Sequence, residues 1–304
     1  MSQTMLDDSA AFDADAEAAR HLALQERRGR ISMILRYAVL TAVGVLMLYP
    51  LIWLIGASFK NNAEIFASPG FIPKDPTLSG YVKGWETSTP YTFGRFFWNT
   101  FLIIAPKVIF TVISCAAVAY GFARFQFPGK RILFASLIAT LLLPNVVTRI
   151  PQYLLFSEMG WLDSYLPLWV PSAFAGDAFF VFMLVQFLRS IPPDMEEAAR
   201  VDGAKSWQVL IFIVAPMLTP ALISVALFQF MWTMNDFLGP LIYLSSVEKF
   251  PVSLALKLSI DTSEAFDWNR ILAMSVLALA PSLVVFFMAQ KYFIEGISAG
   301  GVKG

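Results

Sequence analysis

Six long stretches almost free of charge constrain this chain more than any other feature of its sequence. They lie near 33–58, 97–122, 132–150, 164–188, 209–235 and 270–291. A bilayer core about 30 Å thick takes roughly 20 apolar residues as a helix, and each run is close to that length. Prolines interrupt most of them: Pro50, Pro106, Pro144, Pro171, Pro216, Pro220 and Pro281. In lipid such breaks persist only where neighbouring helices or a wet cavity satisfy the freed carbonyls. The expectation is an all-α, polytopic membrane protein: a bundle of six transmembrane helices with an internal path. Charged residues make up 14% of the chain, against about 25% in soluble proteins, so a water-soluble enzyme is excluded.

The 22 basic and 22 acidic side chains cancel, which argues against nucleic acid as a partner. With one cysteine, Cys115, and one histidine, His21, no His/Cys metal cluster is expected. Residues 1–30 read as a polar tail, acidic at Asp7, Asp8, Asp13, Asp15 and Glu17, then basic at Arg20, Arg27, Arg28 and Arg30. The run after it stays uncharged from Tyr37 to Phe59, too long for a cleaved signal peptide. Lys and Arg accumulate in short cytoplasmic loops. Arg36, Arg124, Lys130, Arg131, Arg189, Arg200 and Lys205 therefore put the tail and the second and fourth connections inside, leaving Arg149 alone in the third. Both termini are then cytoplasmic, with 59–96, 149–163 and 236–269 outside. Phe66, Phe71, Tyr81 and Trp85 in the first outer segment suit an interfacial aromatic belt or a partner surface.

The most informative segment is the cytoplasmic connection 190–212. Pro192 and Pro193 suit the start of a helix, Glu196 and Arg200 are spaced for a surface ion pair, and Gly203 suits the left-handed residue that ends a helix. Ser206 reads as the N-cap of a second helix leading into the fifth span. With small Ala198, Ala199 and Ala204 on it, the bent pair is either a docking knob or merely a link between spans.

The order Glu197, Ala198, Ala199, then Gly203, Ile213 and Pro216 resembles the EAA loop of permease subunits in binding-protein-dependent ABC importers; Ala215 stands where that family commonly has leucine. "AEIFASP", "AVAYGFARFQFPGKR", "WTMNDFLGPLIYLSS", "FPVSL" and "GISAGGVKG" extend the likeness over nearly the whole chain outside the acidic tail. They look most like the second permease subunit of maltose-type sugar importers. The resemblance implies a type I importer permease domain over 31–304, in a bacterial cytoplasmic (inner) membrane. It also implies a second homologous permease, two ATPase subunits that use ATP and Mg, an extracytoplasmic solute-binding protein and a sugar substrate. Glu197 would contact the ATPase, Ala198 and Ala199 would allow close packing, Gly203 would set the bend, and Asp202 would cap amides or meet a basic partner group. The chain itself is then a transport subunit with no catalytic residue, cofactor or metal. Consistently, it lacks the Gly-x-x-x-x-Gly-Lys-Ser/Thr phosphate loop.

Ionisable groups at membrane depth are functional candidates. Lys107 either snorkels or pairs with Asp177, and Asp177 either caps a helix or lines a path. Gln229, Trp232, Asn235 and Asp236 near the end of the fifth span join an aromatic plane to polar groups, as sugar recognition requires; alternatively, Asn235 and Asp236 just end the helix. Asn145 and Gln152 complete the candidate substrate pathway. A membrane enzyme or an ion-coupled transporter would instead need paired carboxylates or internal repeats, and neither reading accounts for the EAA-like loop.

Overall fold

The computed structural model describes residues 3–87, 89–261 and 267–301, with side chains from 29 to 290 except at 88, 145 and 261–266. Among these residues the chain is helical, with no strand. Helix α1 (Gln3–Ala57) carries the tail and the first apolar run without a break. Two short helices, α2 (Asn62–Ala67) and α3 (Ser79–Glu86), lead to the 32-residue α4 (Phe93–Arg124). Asn61 starts α2 by accepting the Glu64 amide on its side chain, the usual remedy for an unpaired first-turn N–H.

The run at 132–150 is not one helix. It divides into α5 (Lys130–Thr140) and α6 (Asn145–Glu158). Pro144 has no amide to donate and disfavours helical backbone at Leu143, so the chain opens there. At 1.5 Å per residue neither piece spans a bilayer core. The fourth run starts as α7 (Leu166–Trp169), passes through a tight 3₁₀ turn at Val170–Phe174 and resumes as α8 (Ala178–Ser190). Pro167 and Pro171 fall in the first part, and Ala175 takes a left-handed φ of 53°.

Within the connection 190–212, α9 (Asp194–Val201) precedes α10 (Ser206–Val209), which widens through a π-type turn at Leu210–Val214 into α11 (Ala215–Met217). The fifth run bends by 81° between Ser206–Met217 and α12 (Thr219–Met234). Pro216 and Pro220 flank this bend, and their missing amides leave the ladder weak there. Helices α13 (Leu238–Tyr243), α14 (Val252–Asp261) and α15 (Trp268–Gly301) complete the order. Among the described residues four helical stretches are long and apolar enough to cross a membrane: Gly29–Ala57, Phe93–Arg124, Leu166–Ser190 and Trp268–Gln290. The bent pair makes a fifth if it is one span.

Lipid is as apolar as leucine, so helix association in a membrane rests on close packing and interhelical hydrogen bonds. Both are visible. Cys115, Ala119 and Tyr120 of α4, Phe180, Val181, Leu184, Val185 and Leu188 of α8, and Val209, Val214, Leu218, Ala221 and Val225 form one buried cluster. Gly80 and Gly84 let α3 lie on α15, where an added Cβ would overlap Asn269 or Met274. Lys60 is fully buried, its ammonium donating to the Ser68 and Gly70 carbonyls. Its own carbonyl accepts from Asn269.

The loops around 163 and 245–252 are locked by polar side chains. Asn99 donates to the carbonyls of Glu248 (2.7 Å) and Phe250 (3.0 Å), and Thr100 accepts the Val252 amide at 2.9 Å. Asp163, at a left-handed φ of 54°, accepts from the Ser245 and Ser246 amides, the Ser246 hydroxyl at 2.6 Å and the Lys249 ammonium at 2.9 Å. These hydrogen bonds, led by that of the Ser246 hydroxyl, hold its carboxyl well below the usual carboxylate range.

Candidate functional site

The connection 190–212 folds as a knob. Asp194, Glu196 and Glu197 occupy the first turn of α9 and Arg200 the last, complementing the helix dipole at each end. Gly203 takes φ 84°, donates to the Arg200 carbonyl at 3.1 Å, and is followed by an Ala204 donation to Ala199 at 3.0 Å. Those two bonds are the Schellman closure, so the left-handed glycine expected from sequence is there. Glu197, Ala198, Asp202 and Gly203 are exposed, and Ala199 is half-buried. Met195, Val201 and Trp207 also stand out in solvent, Val201 by 87%. A short, apolar, small-residue surface ringed by acidic groups is what a close protein–protein contact uses.

Two local expectations are corrected. The second helix is capped one residue earlier than Ser206: the Lys205 amide donates to Gln208 Oε1 at 2.8 Å, and Ser206 is already helical. The expected Glu196–Arg200 pair is present at 3.8 Å, but its carboxylate is not on the surface and Arg124 holds it more closely. Glu196 is 1% exposed, and its Oε1 accepts from Arg124 Nε at 2.7 Å, while Arg200 stands by its other oxygen. Arg124 also donates to the Ile191 carbonyl (3.0 Å), and Arg200 to the Tyr120 hydroxyl (3.4 Å). The i, i+4 rule describes one helix in water; here α4 arrives beneath the helix and takes the carboxylate.

A second constellation is a cavity of roughly 230 Å³ lined by Lys107, Arg149, Gln152, Asp177, Asp236 and Tyr243 among others. Asp177 occupies the cap position of α8 but makes no capping hydrogen bond, which leaves its carboxylate to the cavity. Irregular backbone at membrane depth belongs where it is buried or lines a wet space, and the Ala175–Asp177 break lies at this wall. Lys107 shares the cavity, but no direct ion pair joins it to Asp177 among those of the described residues. The Tyr243 hydroxyl is buried without a hydrogen-bond partner. Sequence reasoning missed Tyr243, which carries no signal of its own. Arg149 was visible only as the one cation of its connection.

The remaining pathway candidates sit elsewhere. Gln229 is 1% exposed and donates to Thr233 within α12. Trp232, half exposed, packs among Phe179, Phe180 and Phe228. Asn235 donates to the Met231 carbonyl and ends α12, whereas Asp236 accepts the Gly239 amide at 2.9 Å in the first turn of α13. Asp236 also faces the cavity. The side chain of Asn145 lies outside the described residues. Among the described residues no three His, Cys, Asp or Glu side chains converge as a metal would require.

Comparison with known proteins adds three likenesses and one family match. The binding-protein-dependent transport system inner membrane component family matches residues 113–298. An osmoprotective compounds uptake permease protein of Synechocystis is 32% identical over 69% of this chain and 70% of its own length. A diacetylchitobiose uptake system permease protein of Streptomyces coelicolor is 28% identical over 93% and 92%. Among solved structures, a bacterial ABC transporter involved in the import of the acidic polysaccharide alginate superposes with a TM-score of 0.77. Its identity is 25%, and the match covers 87% of this chain and 97% of that one.

Proposed function

The chain belongs to the family of binding-protein-dependent transport system inner membrane components, and from that premise we propose that it is a membrane-spanning subunit of an ATP-driven carbohydrate importer. In this reading a periplasmic binding protein delivers a sugar, oligosaccharide or sugar derivative. A second, homologous permease completes the path, and two cytoplasmic ATPases bind ATP and Mg and hydrolyse the nucleotide. The chain sits in a bacterial inner membrane as six spans with both termini in the cytoplasm. The divided run at 130–158 supplies the third crossing and the bent pair the fifth.

The observation that carries the proposal is the knob. Glu197, Ala198 and Ala199 on a short helix closed by Gly203 give a protrusion that fits a groove on an ATPase. Glu197 is free to make a charge-assisted contact there, and Asp202 at the bend faces the same side of the water. The cavity between α4, α6 and α8 is the section of the substrate pathway in this chain. Lys107, Arg149, Asp177 and Asp236 give it two charges of each sign, and the Tyr243 hydroxyl and Gln152 add neutral donors and acceptors. Such a wall suits a polyhydroxylated solute better than an ion.

The test is co-expression with a companion permease and an ATPase of the same importer class, followed by reconstitution with the cognate binding protein. The expected result is a complex containing all of these subunits that takes up a labelled sugar only with ATP. An isolated chain that transports without an ATPase would overturn it.

A further inference from the structure

We propose that the Glu196–Arg124 pair is the joint that makes the cytoplasmic knob and α4 a single moving body, so that α4 carries the knob's displacement to the cavity wall. This rests on the importer reading above. Along the chain the knob belongs to α8 and to α10. Its polar side-chain ties run instead to α4. Arg124, the last residue of that helix, donates to Glu196 and to the Ile191 carbonyl, and Arg200 reaches back to Tyr120, one turn up the same helix. The side chains of Arg124 and Glu196 are 12% and 2% exposed, so water does not compete for them.

A buried ion pair is poor evidence for stability, because apolar replacements often serve as well. What a guanidinium held at two points fixes is orientation. One face of α4 holds the knob, and Lys107 of the same helix lines the cavity. From Arg124 back to Lys107 is about 26 Å at the helical rise, and the whole stretch lies on one side of Pro106. The proline weakness in α4 therefore falls beyond the cavity and does not interrupt the connection. Glu196 and Arg124 touch neither sugar nor nucleotide; they are positioning residues.

The experiment uses the full complex with Cys115 replaced by alanine and Thr148, on the far wall of the cavity, replaced by cysteine. N-Ethylmaleimide reports access to that thiol, so no knowledge of the sugar is needed. With binding protein present, ATP is expected to change the labelling rate by about 5-fold or more, the lower end of ordinary site-to-site coupling. In Glu196→Ala and Arg124→Ala the change should fall below about 2-fold while ATP hydrolysis continues, and Glu196→Gln should fall between. The charge-swapped double variant, Glu196→Arg with Arg124→Glu, should recover the response. Single variants that respond like the parent overturn the joint. If the single variants lose the ATPase on purification, the swap decides: recovery of assembly and response together supports the joint, and recovery of assembly alone, or of neither, overturns it. A parent complex that never retains an ATPase removes the importer reading and the joint with it.

Discussion

Replacing Gly203 tests whether the bend of the knob is set by backbone conformation or by space. Its φ of 84° lies in the left-handed region, and a Cβ there would meet nothing within 4 Å. Any penalty is therefore conformational. For an ordinary L-residue it is about 1–2 kcal/mol, smaller for Asn or Asp, and larger for a β-branched side chain. A shift of that size changes a two-state ratio roughly 5- to 30-fold. Because only the bent form docks, apparent ATPase affinity falls by up to the same factor. The assay is titration of the purified ATPase onto the detergent-solubilised permease pair carrying Gly, Asn, Ala or Val at 203. The expected order of binding is Gly, then Asn, then Ala, then Val. Gly203→Asp, beside Gly203→Asn, isolates the effect of an added charge, and a loss confined to Asp would mark an acidic-intolerant groove. Alanine binding as tightly as glycine, or better than asparagine, would refute the reasoning, because the outcome would then follow size.

Two further outcomes follow from the outer half. The Asp163 carboxyl is held below its unfolded value of about 3.9 by Ser246, Ser245 and Lys249, so its contribution is present above about pH 4 and is lost as pH falls further. Pepsin should then cut within 244–250 increasingly below pH 4 in the parent, whereas Asp163→Asn should be cut at every pH; equal, pH-independent cutting in both would contradict this. At Gly56 an added Cβ would overlap the Phe71 carbonyl, whereas at Gly70 its nearest contact is Ser68 Oγ at 3.5 Å. Gly56→Ala should cost about 1–3 kcal/mol and lower the melting temperature by several degrees, with Gly70→Ala near the parent.

The sequence revealed most where the physics is local. Apolar run length found α1, α4 and α15, and a glycine after a short amphipathic helix announced a positive φ at Gly203. Hydropathy does not register where a run opens. Pro144 divides the third run, and Pro216 with Pro220 flank a bend in the fifth, yet Pro50, Pro106 and Pro281 stay inside intact helices. Pro50, Pro144 and Pro216 are all exposed, so the proline and its own burial do not decide the outcome. Glu196 was read only with Arg200, since its closer partner, Arg124, comes from a helix 72 residues away. Asp163 gave no sign at all, its ligands lying more than 80 residues on. Of the expected pathway residues, Asp177 and Asp236 at breaks in helices and Gln152 within α6 came to the cavity wall. Gln229 did not, and donates to Thr233 within α12 instead.

The bend at Leu218 has a mechanical meaning. Leu218 is wholly buried, so the corner between Ser206–Met217 and Thr219–Met234 is clamped by its surroundings and acts as the pivot of a bell crank. With the arms at 81°, a sideways push on the first arm, which begins directly behind the knob, would turn both arms about Leu218 and swing the far end of α12 across its own axis. The α12 wall would then move by rotation, with no helix having to slide along its length.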